Sequence, residues 1–172
     1  MNLPGLQTRH YQVELLSEHY VLSGELEPFG PLMLYLNDPE RSALRLRNLQ
    51  ARALDPGITL DTFHSEDMLV HKAEVVLIRP IDAISQSTVP LKARRLVLQV
   101  FASRFVLQAA FPCGQEVQAS EIFDLSPGHW VACVEAQVYP LQHSEQPIFH
   151  EAKIILLNKS HIRFYQAVKP KA

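Results

Sequence analysis

The sequence predicts a mainly β protein, a tandem duplication of one small barrel-like unit with about five strands plus a short helix each, the two units related by a pseudo-two-fold axis. Three observations predict it. Apolar residues alternate with period two through short segments, the pattern of half-buried strands. The same alternation returns 85 residues later, and a fifteen-residue segment recurs at a spacing of 79. With 172 residues, 47% apolar and 20% charged, the chain can bury a core and holds one ordinary domain or two small ones.

The first strand carries Tyr11, Val13 and Leu15, and the second Tyr20, Leu22, Gly24 and Leu26. Their counterparts are Leu96, Leu98 and Val100, then Phe105, Leu107, Ala109 and Phe111. Tyr20, Leu22, Leu26, Phe105, Leu107 and Phe111 form the stripe expected to face the core. Pro31 to Asp38 (PLMLYLND) has Pro at a helix start and Leu32, Tyr35 and Leu36 on one face, which predicts a short helix. EVQASEIFDL holds that place in the second copy.

A long strand follows from Ala43 to Leu54, in which the apolar set shifts from Leu44 and Leu46 to Leu49, Ala51 and Ala53. A one-residue change of phase is the mark of a β-bulge, which bends a strand as small barrels require. Ala51 and Ala53 match Ala136 and Val138. Beyond them His64 to Ile78 (HSEDMLVHKAEVVLI) aligns with His143 to Leu157 (HSEQPIFHEAKIILL), with six identities in fifteen and five further apolar pairs. The change of spacing implies a six-residue deletion after Leu54, where the first copy has the loop-like DPGITLDTF.

Val75 to Ile78 and Ile154 to Leu157 are continuously apolar, so each must be covered on both faces, one of them by the other copy. The polar, Pro-containing Ile84 to Ala93 reads as the linker, giving a first β-rich unit over 1–90 and a second over 91–172.

The series VLSGEL, SALRLRNLQARAL and KAEVVLIRPIDAI resembles the strand order of Sm-like small barrels in tandem. Gly24 stands in the strand that bends in that family. Val76, Leu77, Ile78 and Arg79 resemble its closing segment, with Pro80 in place of the usual Gly; the second copy has LLNKSHIRF there. The layout is also similar to an uncharacterised bacterial family of β-rich domains, a likeness that implies no activity. The Sm-like resemblance implies single-stranded nucleic-acid binding. Locally, FDLSPGHW resembles the D-x-S-x-x-G loop of PilZ domains, which implies cyclic di-GMP binding through Asp124 and Ser126. His129 replaces the final Gly of that loop, and Arg94 and Arg95 lack the R-x-x-x-R spacing, which occurs instead at Arg41 and Arg45. Asp-x-Ser-Pro-Gly also reads simply as a turn.

Six scattered glycines offer no loop whose backbone amides could cradle a pyrophosphate, and neither a G-x-S-x-G elbow nor an H-E-x-x-H helix is present. Rossmann and P-loop nucleotide folds are thereby excluded, hydrolase readings lose their usual support, and no cofactor is expected. Cys113 and Cys133 have neither disulfide-framework nor metal-ligand spacing and read as buried thiols.

Histidines are the one surplus, eight in all. His64 with His143 and His71 with His150 would supply four metal ligands across a pseudo-two-fold axis. A spacing of seven, however, puts two histidines of one strand on opposite faces, and His-Ser-Glu also reads as a polar turn beside Glu66 and Glu145. Arg41, Arg45, Arg47 and Arg52 concentrate on the long strand, where they would contact phosphates or simply keep a strand face soluble. Net charge of −2 and a pI near 6.4 provide no broad positive field. No apolar run reaches transmembrane length, and MNLPGLQTRH lacks a basic stretch leading into an apolar one, so a cytoplasmic location is expected. The resulting expectation is a non-catalytic binding or scaffolding module with a protein partner, or with nucleic acid as the alternative, capable of forming an oligomer and without membrane contact.

Overall fold

A computed structural model describes residues 9–55, 57, 62–82, 94–144 and 146–168. The expected linker and the boundary at 90/91 lie outside them. The first half comprises β1 (Tyr11–Ser17), β2 (Tyr20–Leu26), α1 (Leu32–Asn37), β3 (Ala43–Ala53), β4 (Phe63–His71) and β5 (Val75–Pro80). The second comprises β6 (Arg94–Ala102), β7 (Phe105–Cys113), α2 (Ile122–Leu125), β8 (Trp130–Pro140), β9 (Glu151–Asn158) and β10 (Ile162–Ala167). All ten strands form one antiparallel sheet in the order β10-β6-β7-β8-β9-β5-β1-β2-β3-β4.

Each half repeats the same order, its fifth strand first and then its first to fourth. The register repeats too. Leu15 faces Ile78 as Val100 faces Tyr165, Leu22 faces Ala51 as Leu107 faces Val138, and Leu46 faces Met68 as Cys133 faces Ile155. Equivalent positions therefore lie 85 apart through the first two strands of each half and 87 apart from β3 onward. The bulge expected in the first half is present, and the second half has its counterpart. Pairing shifts between Ser23 and Glu25 opposite Asn48 (φ 50°), and between Gln108 and Ala110 near Glu135 (φ 53°). A Cβ on Gly24 would meet the Arg47 carbonyl oxygen at 2.8 Å, so the first bulge keeps its glycine.

Three expectations are corrected. The alignment at a spacing of 79 does not describe equivalent strands, because Val75 to Ile78 lie in β5 and Ile154 to Leu157 in β9, the fifth strand of one half and the fourth of the other. These segments pair with each other, Leu77 with Leu157 and Ile78 with Leu156. Both are interior strands covered on both faces, and that common environment selects the same apolar residues. Secondly, the halves are not two-fold related, because a two-fold axis sets the same patch against itself. The seam joins a fifth strand to a fourth, a head-to-tail contact. Finally, the sheet is not closed into a barrel: the free side of β5, which closure on β4 would need, is occupied by β9.

Two cores result, and each takes side chains from both halves. The first packs Tyr11, Leu15, Leu26 and Leu46 of the first half with Trp130, Val134, Ile154 and Leu156 of the second. The other packs Val100, Phe105, Phe111 and Leu157 with Leu16, Val21, Leu54, Val76 and Leu77. Of the predicted stripe, Leu22, Leu26, Phe105, Leu107 and Phe111 are buried, and Tyr20 is half-buried against the first core.

Candidate functional site

Polar side chains fasten the seam. Asn158, buried at the end of β9, donates through Nδ2 to the carbonyls of Lys72 (3.1 Å) and Val75 (3.0 Å). His161 Nε2 lies 2.7 Å from the Ala73 carbonyl. Arg104, in the β6–β7 turn, donates to the Glu18 carbonyl and to the Asp55 carboxylate. Asn37 at the end of α1 satisfies the backbone of Trp130 in both directions, accepting from its N–H at 2.8 Å and donating to its carbonyl at 3.3 Å.

Two lysines at equivalent positions brace the short helices. Lys72 Nζ donates to the carbonyls of Tyr35 and Asp38, and Lys159 Nζ to those of Phe123 and Ser126. An ammonium among the last carbonyls of a helix satisfies acceptors the helix leaves open. Partial burial pushes the pKa of both lysines down. Sequence reading missed this pair, although the spacing of 87 would have revealed it.

The predicted histidines are not brought together. His64 and His71 lie on β4 at one edge of the sheet, whereas His143 and His150 belong to the connection between β8 and β9. His150 Nδ1 lies 3.3 Å from the Val138 carbonyl. Glu145 lies outside the described residues. Among the described residues, the group with metal-ligand geometry is His10, Glu25 and Glu27. There Arg47 Nε already engages Glu27 at 2.9 Å and Gln12 donates to Glu25 at 2.8 Å, leaving a solvated ion-pair cluster.

The arginines of β3 are also engaged. Arg45 forks onto Asp67 and holds its carboxyl below the ordinary carboxylate range, Arg47 pairs with Glu27, and Arg41 pairs with Asp38 at 3.1 Å. Arg52 is half-buried on β3 opposite Val21. No continuous unpaired basic face is formed by these four residues.

The PilZ-like segment opens as a helix, α2, with Asp124 inside it. Ser126 Oγ donates to the Ile122 carbonyl at 2.6 Å, and Gly128 (φ 75°) makes the turn into β8. Arg94 donates to the carbonyls of Gly114, Gln115 and Val117, and Arg95 pairs with Glu135 at 2.8 Å. These side chains hold loops. Cys113 and Cys133 are free and buried, and burial pushes the Cys133 thiol upward, toward its neutral, unreactive form.

The two edge strands present a different kind of surface. On β4, Phe63 and Leu69 are exposed, and on β10 Phe164 is exposed while stacking on Phe101 at 4.5 Å between ring centroids. A further concave region of about 490 Å³ lies between α1 and the start of β8, lined by Met33, Leu34, Pro112, Pro127 and Trp130. No helix among the described residues is long and apolar enough to cross a membrane.

Comparison of the chain with known protein families, with characterised proteins and with solved structures finds no match.

Proposed function

We propose that this chain is a non-catalytic scaffolding module, derived from a duplicated five-stranded unit, that engages its partner along its open sheet edges. The observation that carries this reading is the pair of edge strands. Among the described residues each is hydrogen-bonded to a neighbouring strand on one side only, and each carries a large exposed apolar side chain, Leu69 on β4 and Phe164 on β10. Unpaired edges are templates for an added strand, in which backbone bonds supply affinity and alternate side chains specificity. The nucleic-acid alternative is weakened by the ion pairs of Arg45 and Arg47, and the cyclic dinucleotide alternative by the structural duties of Arg94, Arg95 and Ser126.

A photo-crosslinking residue placed at Leu69 or Phe164 in the intact chain, in its native cell, tests the reading. Protein adducts at these positions and none at exposed Leu125 are expected. Adducts removed by nuclease would replace the proposal with nucleic-acid binding, and equal labelling at all three positions would overturn it.

A further inference from the structure

We propose that the concave region between α1 and the start of β8 binds a neutral small molecule with an apolar body and one acceptor oxygen, which the indole N–H of Trp130 takes. The strands beneath it, β7 and β8, are interior strands, so the site does not depend on what the sheet edges bind. Both halves build it. Met33 and Leu34 come from α1 of the first half, whereas Pro112 of β7, Pro127 of the loop before β8, and Trp130 and Ala132 of β8 belong to the second. Its volume of about 490 Å³ falls within the roughly 300–1,000 Å³ of small-molecule sites. Trp130 and Ala132 stand two apart on one strand and so face the same side of the sheet, where both pack on the first core. The site therefore rests on rigid elements, and Leu34, 69% exposed on α1, gains cover from an occupant.

The lining decides the chemistry of the occupant. Among the described residues no Asp, Glu, Lys, Arg or His lines this region, so a charged ligand would leave water without meeting a counter-charge. The other polar side chains of the wall are already engaged. Asn37 commits both ends of its amide to the backbone of Trp130, and Ser126 Oγ donates to the Ile122 carbonyl at 2.6 Å. The indole is the exception. Trp130 is 1% exposed, and among the described residues its side-chain N–H has no partner. A tryptophan enclosed to that degree ordinarily finds an acceptor for this donor. Nor is the N–H sealed in: among the described residues the fully enclosed side-chain polar atom without a partner is Arg79 Nε alone. The small exposure left to Trp130 therefore includes an unmet donor.

Trp130 also borders a smaller cavity of about 300 Å³ beside Leu36, where Arg41, Lys72 and His129 stand. Such a lining suits an anion. Two features favour the larger region. Its walls are mostly apolar, and a water there finds too few of the roughly two to four polar partners it needs, so the N–H is best met by an acceptor carried on an apolar body. In the smaller cavity the cations already have acceptors, since Lys72 donates to two carbonyls and Arg41 pairs with Asp38.

Trp130 is the sole tryptophan of the chain, so its indole N–H gives a single cross-peak in a proton–nitrogen NMR spectrum. The intact protein is titrated with camphor, with bornane (the same skeleton without oxygen), with camphorsulfonate (the same ketone carrying a negative charge) and with inorganic phosphate. Camphor is expected to move that cross-peak downfield in the proton dimension and to saturate. Bornane is expected to bind about tenfold more weakly, for want of one hydrogen bond, and without the downfield movement. Camphorsulfonate and phosphate are expected to leave the cross-peak in place. Ala132→Leu fills the floor of the site while keeping the reporter; with its fold confirmed by circular dichroism, it is expected to lose the response to camphor. Trp130→Phe removes the donor, and saturation transfer observed on camphor itself is expected to show binding about tenfold weaker; should that variant not fold, Ala132→Leu and the bornane comparison still decide. The proposal is overturned if camphor produces no saturable movement up to its solubility limit, if Ala132→Leu responds as the wild type does, or if bornane binds as tightly as camphor. A stronger response to phosphate or camphorsulfonate than to camphor also overturns it, by placing the N–H in the cationic cavity.

Discussion

Gly128 is held between two requirements. Its φ of 75° lies in the region that favours glycine, and a methyl there would overlap the amide of Asn37 that pairs with Trp130. Gly128→Ala should therefore combine backbone strain with loss of that clasp, costing on the order of 1–3 kcal/mol, read as a lower urea midpoint. Asn37→Ala should cost a similar amount, about 1–3 kcal/mol, by leaving the Trp130 N–H buried without a partner; an unchanged midpoint would mean that water replaces the amide. At Phe105, wholly inside the second core, Phe105→Ala should cost about 3–5 kcal/mol. The orientation of Phe105 was legible in the sequence because strand alternation depends only on neighbours along the chain. The Asn37–Trp130 clasp was not, since its partners are 93 positions apart and on different halves.

At the scale of elements, each two-turn-or-shorter helix depends on a lysine from the far end of its own half. Lys72→Met or Lys159→Met should release α1 or α2 respectively, seen as faster amide exchange confined to that helix and its flanking turn. Because burial lowers the pKa of both lysines, the folded state holds these protons less tightly than the unfolded chain. Their linkage makes stability rise with pH in the window just below the ordinary lysine value of 10.5. Asp55 acts at the opposite end of the scale, its carboxyl held low by hydrogen bonds from His19 and Arg104. Its contribution is complete above the ordinary value of 3.8 and is lost as pH falls through the lowered one, so Asp55→Asn should flatten the acid limb of a stability profile.

Most elements were legible: the two strands that open each half, the two short helices and the long strand β3 with its bulge at Asn48 leave local marks in period and phase, whereas His64 to Ile78 read as a polar turn and one last strand where the structure has β4 and β5. Equivalence between strands was not. The closest sequence match in the chain joins β5 to β9 because both are buried on two faces, while the true counterpart of β5 is the edge strand β10, whose IRFYQA has been shaped by solvent on one side. The repeated histidines drew their apparent symmetry from that same misplaced alignment: His64 and His71 stand opposite Gln50 and Ala43 on β4, and their structural counterparts are Glu151 and Asn158.

The two cores are shared between the halves, so the whole molecule should unfold as one cooperative body. Removing residues 91–172 would take Trp130, Val134, Ile154 and Leu156 from the first core. Full burial of one large apolar side chain is worth about 1.5–3 kcal/mol, so four such losses approach the roughly 5–15 kcal/mol that stabilises an ordinary domain. Removing residues 1–90 takes Leu16, Val21, Leu54, Val76 and Leu77 from the second core in the same way. Each half expressed alone should therefore be poorly soluble, or should pair with a second copy of itself through the seam strand it has just exposed, β5 or β9. The two halves produced together should re-form a one-to-one complex that melts in a single transition. A half that is monomeric and unfolds cooperatively by itself would show that the shared side chains are dispensable and that the seam merely joins two independent domains.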